Sequence, residues 1–539
     1  MNEHLNPPVL IILHSTPSTT LENRTSSNMA NCSPRPVTLA VVTTDTSVTT
    51  KGTHTIQCAH PECLDTLPSP FILGPLDHLV YHAVPVNVVW VYEAQQTGSV
   101  LIPITRLARA ISLVLDYYPH LTGRLHISPD DGTRSMTQLN SGMSLIEATC
   151  DAPLSSFRNA STGRLHMADL PAAGNALLGP WDPSLEGVQR EPVFTIKHTR
   201  FACGSVSIGV RLPHTVCAAE GFLQLYQDLA ELYRGLSSDP AATPTLKQPP
   251  HIRPFLADEM VVMSPAERDA ALSFQPPGLS TGSLSEPPAT TGAATARPPP
   301  TPVAGRELRF TAAELAALKA HATPPHGHFR VSTFSALCAH FWQRQHVARL
   351  ALVREQQPRP EVSTAFLTSV NYSTKLFPEE QTPLHYFSNA LMVPFIDLGT
   401  SISEEFATWP LWRVAQTVHE VCRSISPQDA RDTARWVAAQ PDKRTIRHGF
   451  AAGYGSLMAS AWNRFPAYAG AELPDEEGKL VAPAVVNSPF TTISLMDGLM
   501  YLLPTKEDNG DVEVIISLSE PLWNLLDRDE EFRRFMPKV

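Results

Sequence analysis

No run in this sequence approaches the roughly 20 consecutive apolar residues needed to cross a bilayer, so no membrane span is predicted. Cysteine is scarce. The eight present (Cys32, Cys58, Cys63, Cys150, Cys203, Cys217, Cys338 and Cys422) are scattered, which argues against a disulfide framework and suits a reducing compartment. There is no long run of like charge, no interleaving of basic and aromatic residues, and a net charge of −11. Such a surface repels phosphate backbones, so nucleic acid is not an expected partner. A glycine-rich phosphate loop and a short-period repeat are also missing. The short apolar piece Val9 to Leu13 has neither a basic flank nor a small-residue cleavage site, and Pro537-Lys538-Val539 is not a peroxisomal address. The expected location is therefore cytoplasmic.

What is present is ordinary globular material. Hydrophobic residues make up 43% and charged residues 17%, and 539 residues exceed one ordinary core. Residues 1–65 are rich in Ser, Thr, Asn and Pro, and are expected to be disordered because they bury too little apolar surface to offset ordering entropy. A second biased stretch, Gln275 to Pro302, contains Pro276-Pro277 and Pro298-Pro299-Pro300 and marks 271–305 as a crossover linker. Two globular blocks remain, 66–270 and 306–539. Strand and helix patterns interleave in both, so the class is α/β or α+β.

Several elements can be placed. Ile104, Leu107, Ile111, Leu115 and Tyr118 recur at helical spacing before Pro119 stops the helix. Val206, Ile208, Val210 and Leu212 alternate with Ser205, Ser207, Gly209 and Arg211, predicting a half-buried strand. Pro213 and His214 follow, and Phe222, Leu225, Leu229, Leu232 and Tyr233 then form a helical stripe closed by Gly235. Asp508-Asn509-Gly510 lies between two apolar runs and predicts a hairpin.

His214 thus stands where a regular strand ends and a helix begins, a place from which scaffolds present reactive side chains. Imidazole titrates near neutrality, so it can take and return a proton. On spacing alone, a hydrogen-bonded histidine at a strand terminus explains the same pattern.

The run His214 to Tyr233, HTVCAAEGFLQLYQDLAELY, resembles the active-site segment of BAHD acyltransferases, in particular the fungal branch of trichothecene 3-O-acetyltransferases. Other segments match in the family's order. Pro75-Leu76-Asp77-His78 resembles its first core strand entry, and Tyr118 to Leu125 its YPxLAGRL segment. Ser332 to Leu337 with Trp342 resembles STxDAL…W, and Tyr386-Phe387-Ser388-Asn389-Ala390 resembles YFGNA. Ser460-Ala461-Trp462 with Arg464-Phe465-Pro466 resembles TSWxRFP, and Asp497-Gly498-Leu499 through Pro504 the last hairpin.

The resemblance implies a two-domain fold like chloramphenicol acetyltransferase, with mixed sheets flanked by helices. It also implies an O-acyltransferase that uses acyl-CoA, most simply acetyl-CoA, as co-substrate and has no tightly bound cofactor. The acceptor would be a hydroxyl of a small molecule, a secondary metabolite or glycolipid, and the protein a monomer. His214 would be the general base, and Ser460 and Trp462 would support the oxyanion and the substrate channel. The coenzyme A contacts are not identified.

Three departures stand beside the matches. The aspartate of HxxxD, which in the family pairs with an arginine to brace the histidine loop, is replaced by Ala218, and Glu220 is the nearest candidate substitute. DFGWG is replaced by Ala469 to Pro474, and the DGRSR-like position reads Asn371-Tyr372-Ser373-Thr374-Lys375. These losses favour an alternative, a catalytically weakened or non-catalytic relative that binds or scaffolds, whereas His214, Ser460 and Trp462 favour the enzyme.

Other signals carry less. His126-Ile127-Ser128-Pro129-Asp130 is a literal HxxxD but runs into a turn with no helix after it. Cys217 is read as an apolar filler rather than a nucleophile. His54, Cys58, His60 and Cys63 are metal-ligand types, but lack a second paired half, so no metal is expected.

Overall fold

The computed structural model describes residues 47–95, 101–160, 162–236, 241–284, 301–326 and 329–536. Two six-stranded mixed sheets organise the chain. The first has the order β1 (Val48–Ile56), β3 (Met143–Cys150), β4 (Thr195–Phe201), β5 (Val206–Pro213), β2 (Pro85–Tyr92) and β10 (Val485–Asn487). The second has the order β6 (Val303–Phe310), β12 (Val512–Ser519), β11 (Leu499–Pro504), β9 (Leu457–Ala461), β7 (Ala365–Thr368) and β8 (Phe395–Asp397). β3–β4, β7–β9 and β9–β11 are parallel; all other neighbours in the two sheets are antiparallel.

Each sheet has its own apolar core. Helices α1 (Ile104–Leu115) and α2 (Ala219–Gly235) pack against each other on the first, and Trp90 of β2 stacks on Tyr226 of α2 with ring centroids 3.6 Å apart. Helix α3 (Thr333–Val353) fills the second core with Leu337, Phe341 and Trp342. Its buried Arg349 is held in a bidentate pair with Asp497 at 2.7 and 2.8 Å.

The hairpin forms as expected between β11 and β12, with Asp508 (φ +46°) and Gly510 (φ +88°) supplying the left-handed turn. Four expectations are corrected. Residues 48–56, assigned to the disordered leader, form a strand paired along its length with β3, whereas 1–46 lie outside the described residues. The expected linker begins regular structure early, since Leu279–Thr281 pairs with Ile446–His448 and β6 starts at Val303, although 285–300 lie outside the described residues. Pro75-Leu76-Asp77-His78 is a 3-10 turn rather than a strand entry.

β5 is buried on both faces rather than one. Its small and polar positions meet the segment around Leu177 to Trp181 instead of water. A Cβ on Gly209 would stand 2.0 Å from the Leu177 carbonyl oxygen, and Arg211 donates to the Gly179 carbonyl while lying over Trp181. Alternation reports side-chain polarity, and here protein covers the polar face as well.

Candidate active site

A cavity of about 350 Å³ opens between the two sheets, within the size range of small-molecule sites. His214, Ala218, Ala219 and Glu220 line it from the first sheet, and Ser369, Met458, Ser460 and Trp462 from the second. Most of the remaining wall is apolar.

His214 is placed by the end of a ladder. Pro213, the last residue of β5, pairs with Pro85, the first of β2, and the His214 N–H turns away to donate to the Val84 carbonyl at 2.8 Å. The imidazole is enclosed by protein yet touches the cavity, and burial holds its pKa below the ordinary histidine value. Nδ1 is buried with no well-formed hydrogen bond, and among the described residues no carboxylate acts on the ring to stabilise an imidazolium. A neutral imidazole beside an apolar cavity is the protonation state that a general base requires.

The loop that carries His214 is braced, but not from position 218. Asn389 donates through its side-chain amide to the His214 carbonyl at 2.8 Å and to Asp77 Oδ1 at 2.8 Å, and its backbone N–H also reaches Asp77 Oδ1 at 2.8 Å. Asp77 Oδ2 accepts from Gly74 N–H. Next to His214, the Thr215 hydroxyl donates to the Asp77 carbonyl at 2.9 Å and accepts from Arg134 at 2.7 Å. Arg134 also donates to the carbonyls of Asp77 and Val80. Burial raises the Asp77 carboxyl to about 7, against the pull of the Asn389 and Gly74 donors.

Glu220 lies elsewhere. Its exposed carboxylate accepts from the Asn371 amide and, at 3.3 Å, from the Ser373 hydroxyl, so it links the start of α2 to the second sheet's side rather than to the His214 loop. Ala218 is the N-cap residue of α2, with extended backbone (φ −79°, ψ 170°) and no side-chain cap. Gly221, one turn in, is required by close approach: a Cβ there would stand 2.2 Å from the Phe387 carbonyl oxygen, in the segment that carries Asn389.

On the opposite wall, Ser460 and Trp462 sit at the end of β9. The Trp462 indole N–H donates to Ser460 Oγ at 3.1 Å, and Ser369 Oγ lies 3.1 Å from the same atom. With the indole occupying one acceptor position, the Ser460 hydroxyl proton has two directions left, Ser369 or the cavity. Such a donor can face a developing oxyanion.

The segment without DFGWG is held through its main chain. Gln227 donates to the Ala469 carbonyl at 3.0 Å, Arg234 to Gly470 and Glu472 at 2.8 and 2.9 Å, and Tyr92 to Ala471 at 2.6 Å. Cys217 is fully buried and its thiol is pushed well up by burial, which removes it as a nucleophile. His126 is exposed on a short strand and does not line the cavity. Sequence reading flagged the segments of Asp77 and Asn389 but gave these residues no role, and it missed Arg134, Thr215 and Ser369.

Among the described residues, no helix is long and apolar enough to cross a membrane. The family model described as Transferase family matches residues 46–532. Hydroxycinnamoyltransferase 2 of Oryza sativa subsp. japonica is 26% identical over 424 residues, covering 77% of this chain and 83% of that protein. Shikimate O-hydroxycinnamoyltransferase of Nicotiana tabacum is 23% identical over 428 residues, covering 78% and 86%. Among solved structures, F. graminearum TRI101 complexed with coenzyme A and T-2 mycotoxin superposes with a TM-score of 0.60 at 17% identity, covering 86% of this chain and 98% of that one. Vinorine synthase gives 0.57 at 16% identity, covering 91% and 98%. The similar relatives named here by sequence are plant proteins, and TRI101 and vinorine synthase show the two-sheet fold. The chain belongs to the Transferase family, the BAHD group of acyl-CoA-dependent acyltransferases.

Proposed function

We propose that this chain transfers an acyl group, acetyl in the simplest case, from acyl-CoA to a hydroxyl of a secondary metabolite or glycolipid, as a cytoplasmic monomer. The observation that carries the reading is that His214 and Ser460 line one cavity from opposite sheets. His214 takes the proton of the acceptor hydroxyl as that oxygen attacks the thioester carbonyl. Ser460 donates to the resulting oxyanion, with Trp462 and Ser369 fixing its hydroxyl. Collapse of the tetrahedral species expels the coenzyme A thiolate, which recovers the proton from His214, so no covalent enzyme intermediate is needed. A positioned base contributes about 100- to 10,000-fold, and holding both substrates between the sheets supplies much of the rest.

The loss of the motif aspartate favours a binding protein only if nothing else orders the loop. The Asp77–Asn389 network orders it here. Acetyl-CoA and longer acyl-CoAs, incubated with a panel of hydroxylated metabolites and followed by free-thiol release, test the proposal. Acceptor-dependent thiol release that vanishes in His214→Ala is expected. Ligand binding without release from any pair would turn the reading to the scaffold alternative.

A further inference from the structure

Away from the cavity, the turn after β1 meets the end of α1. Cys58 Sγ, Cys63 Sγ and a carboxylate oxygen of Asp116 all lie within 4.8 Å of one another, and Cys63 Sγ is 4.0 Å from Asp116 Oδ1. We propose that Cys58, Cys63 and Asp116 form a site for a thiophilic divalent cation, zinc being the natural occupant.

Zinc takes sulfur ligands at about 2.3 Å and oxygen at about 2.0–2.2 Å in a tetrahedron, so its donors stand roughly 3.5–3.8 Å apart. The three atoms need close by only about 1 Å to reach that spacing. Cys58 is buried, Cys63 is half-buried and the Asp116 side chain is 15% exposed, so three protein ligands leave a fourth position that solvent can fill.

Two features around the trio fit a cation. Asp116 is the C-cap residue of α1, where a carboxylate faces the negative end of the helix dipole, and the neighbouring Leu115 carbonyl points at Cys58 Sγ, 3.5 Å away. This puts negative potential from two sources, the carboxylate and the carbonyl end of the helix, at one point. Asp116 is also held in place from outside the trio. His60 donates its backbone N–H to Oδ1 at 2.9 Å, and its ring Nδ1 lies 2.7 Å from Oδ2. Ligating carboxylates are usually oriented by such partners.

Binding would release two thiol protons to solvent and leave two thiolates and a carboxylate around the divalent ion. The sequence could not show this, because Asp116 lies 53 residues beyond Cys63 and enters only through the packing of α1. The result would be a clip fastening the β1 turn to α1, the helix that packs against α2 beyond His214.

The test uses the full chain purified under reducing conditions, stripped with a chelator and titrated with zinc alone, then with cobalt as an optical probe. One zinc per chain, thiolate-to-cobalt charge-transfer absorption and a higher melting temperature with zinc are expected. Cys63→Ser, at a half-buried position that leaves the core intact, should lose all three, as should the near-isosteric Asp116→Asn. His60→Ala should weaken binding by about 10- to 100-fold, and His54→Ala should not change it. If stripped wild-type protein takes up no zinc, or if Cys63→Ser and Asp116→Asn take it up unchanged, the proposal is wrong.

Discussion

The side-chain amide of Asn389 holds the backbone carbonyl of His214 at 2.8 Å across 175 residues of sequence. The contact joins the second half of the chain to the loop that carries His214, the proposed base, in the first, and the same amide is anchored on buried Asp77. Asn389→Ala should therefore lower kcat by about 10- to 100-fold with KM little changed, because small misplacements of a reacting group are costly. Loss of the side-chain donor to buried Asp77, which keeps the backbone N–H of residue 389 and that of Gly74, should also remove about 1 kcal/mol of stability, read by thermal unfolding. An unchanged kcat in a folded Asn389→Ala variant would show that the loop holds without it.

His214→Ala should lose about 100- to 10,000-fold in kcat while folding normally. In the wild type the pH profile carries the sign of the burial effect. Burial lowers the histidine pKa, so the neutral base persists to more acidic pH, and the acid limb of kcat/KM should lie below the free-imidazole value of about 6.5. An acid limb above that value would mean that a negative partner, not burial, dominates the ring. His126→Ala should leave the profile as it is.

Position 218 tests what the family's carboxylate is for. As the N-cap of α2 it can accept from the first-turn N–H groups, and because it lines the cavity a carboxylate there is not wholly desolvated. Ala218→Asp should stabilise the protein by about 0.5–2 kcal/mol, with turnover nearly unchanged because the loop is braced from Asp77 and Asn389. A lower melting temperature would show that the side chain finds no donors.

Ser460→Ala should reduce kcat by about 100-fold or more, as loss of an oxyanion donor does. Trp462→Phe, which removes only the indole N–H, should cost less, and the double variant should be no worse than Ser460→Ala. Additive losses would mean that the two residues act separately.

Where patterns are local, the sequence was legible. The strand into His214, the helix after it and the Asp508–Gly510 hairpin all follow from periodicity and turn residues. Segment matches extended this to both halves and to the place of Ser460 and Trp462 on the cavity wall. Contacts set only by packing could not be read. Glu220 lay nearest His214 in sequence, yet its carboxylate reaches Asn371 and Ser373, while the actual braces come from Asp77, Arg134 and Asn389. The N-terminal strand was missed for a related reason. VTTKGTHTI is too polar to announce itself and is ordered by pairing with β3.

β10 has one more consequence. The Asn87 amide donates to the Ser488 hydroxyl 401 residues away, and Val485–Asn487 closes the edge of β2. A growing chain therefore carries β2, with seven of its eight residues destined for burial, beside an unfilled edge until nearly the whole protein has been synthesised. Such an edge invites pairing with other chains. C-terminal truncation before residue 485 should thus cause aggregation during expression, not merely loss of activity. Once β10 is in place, it fastens the second half of the chain to the edge of the first sheet.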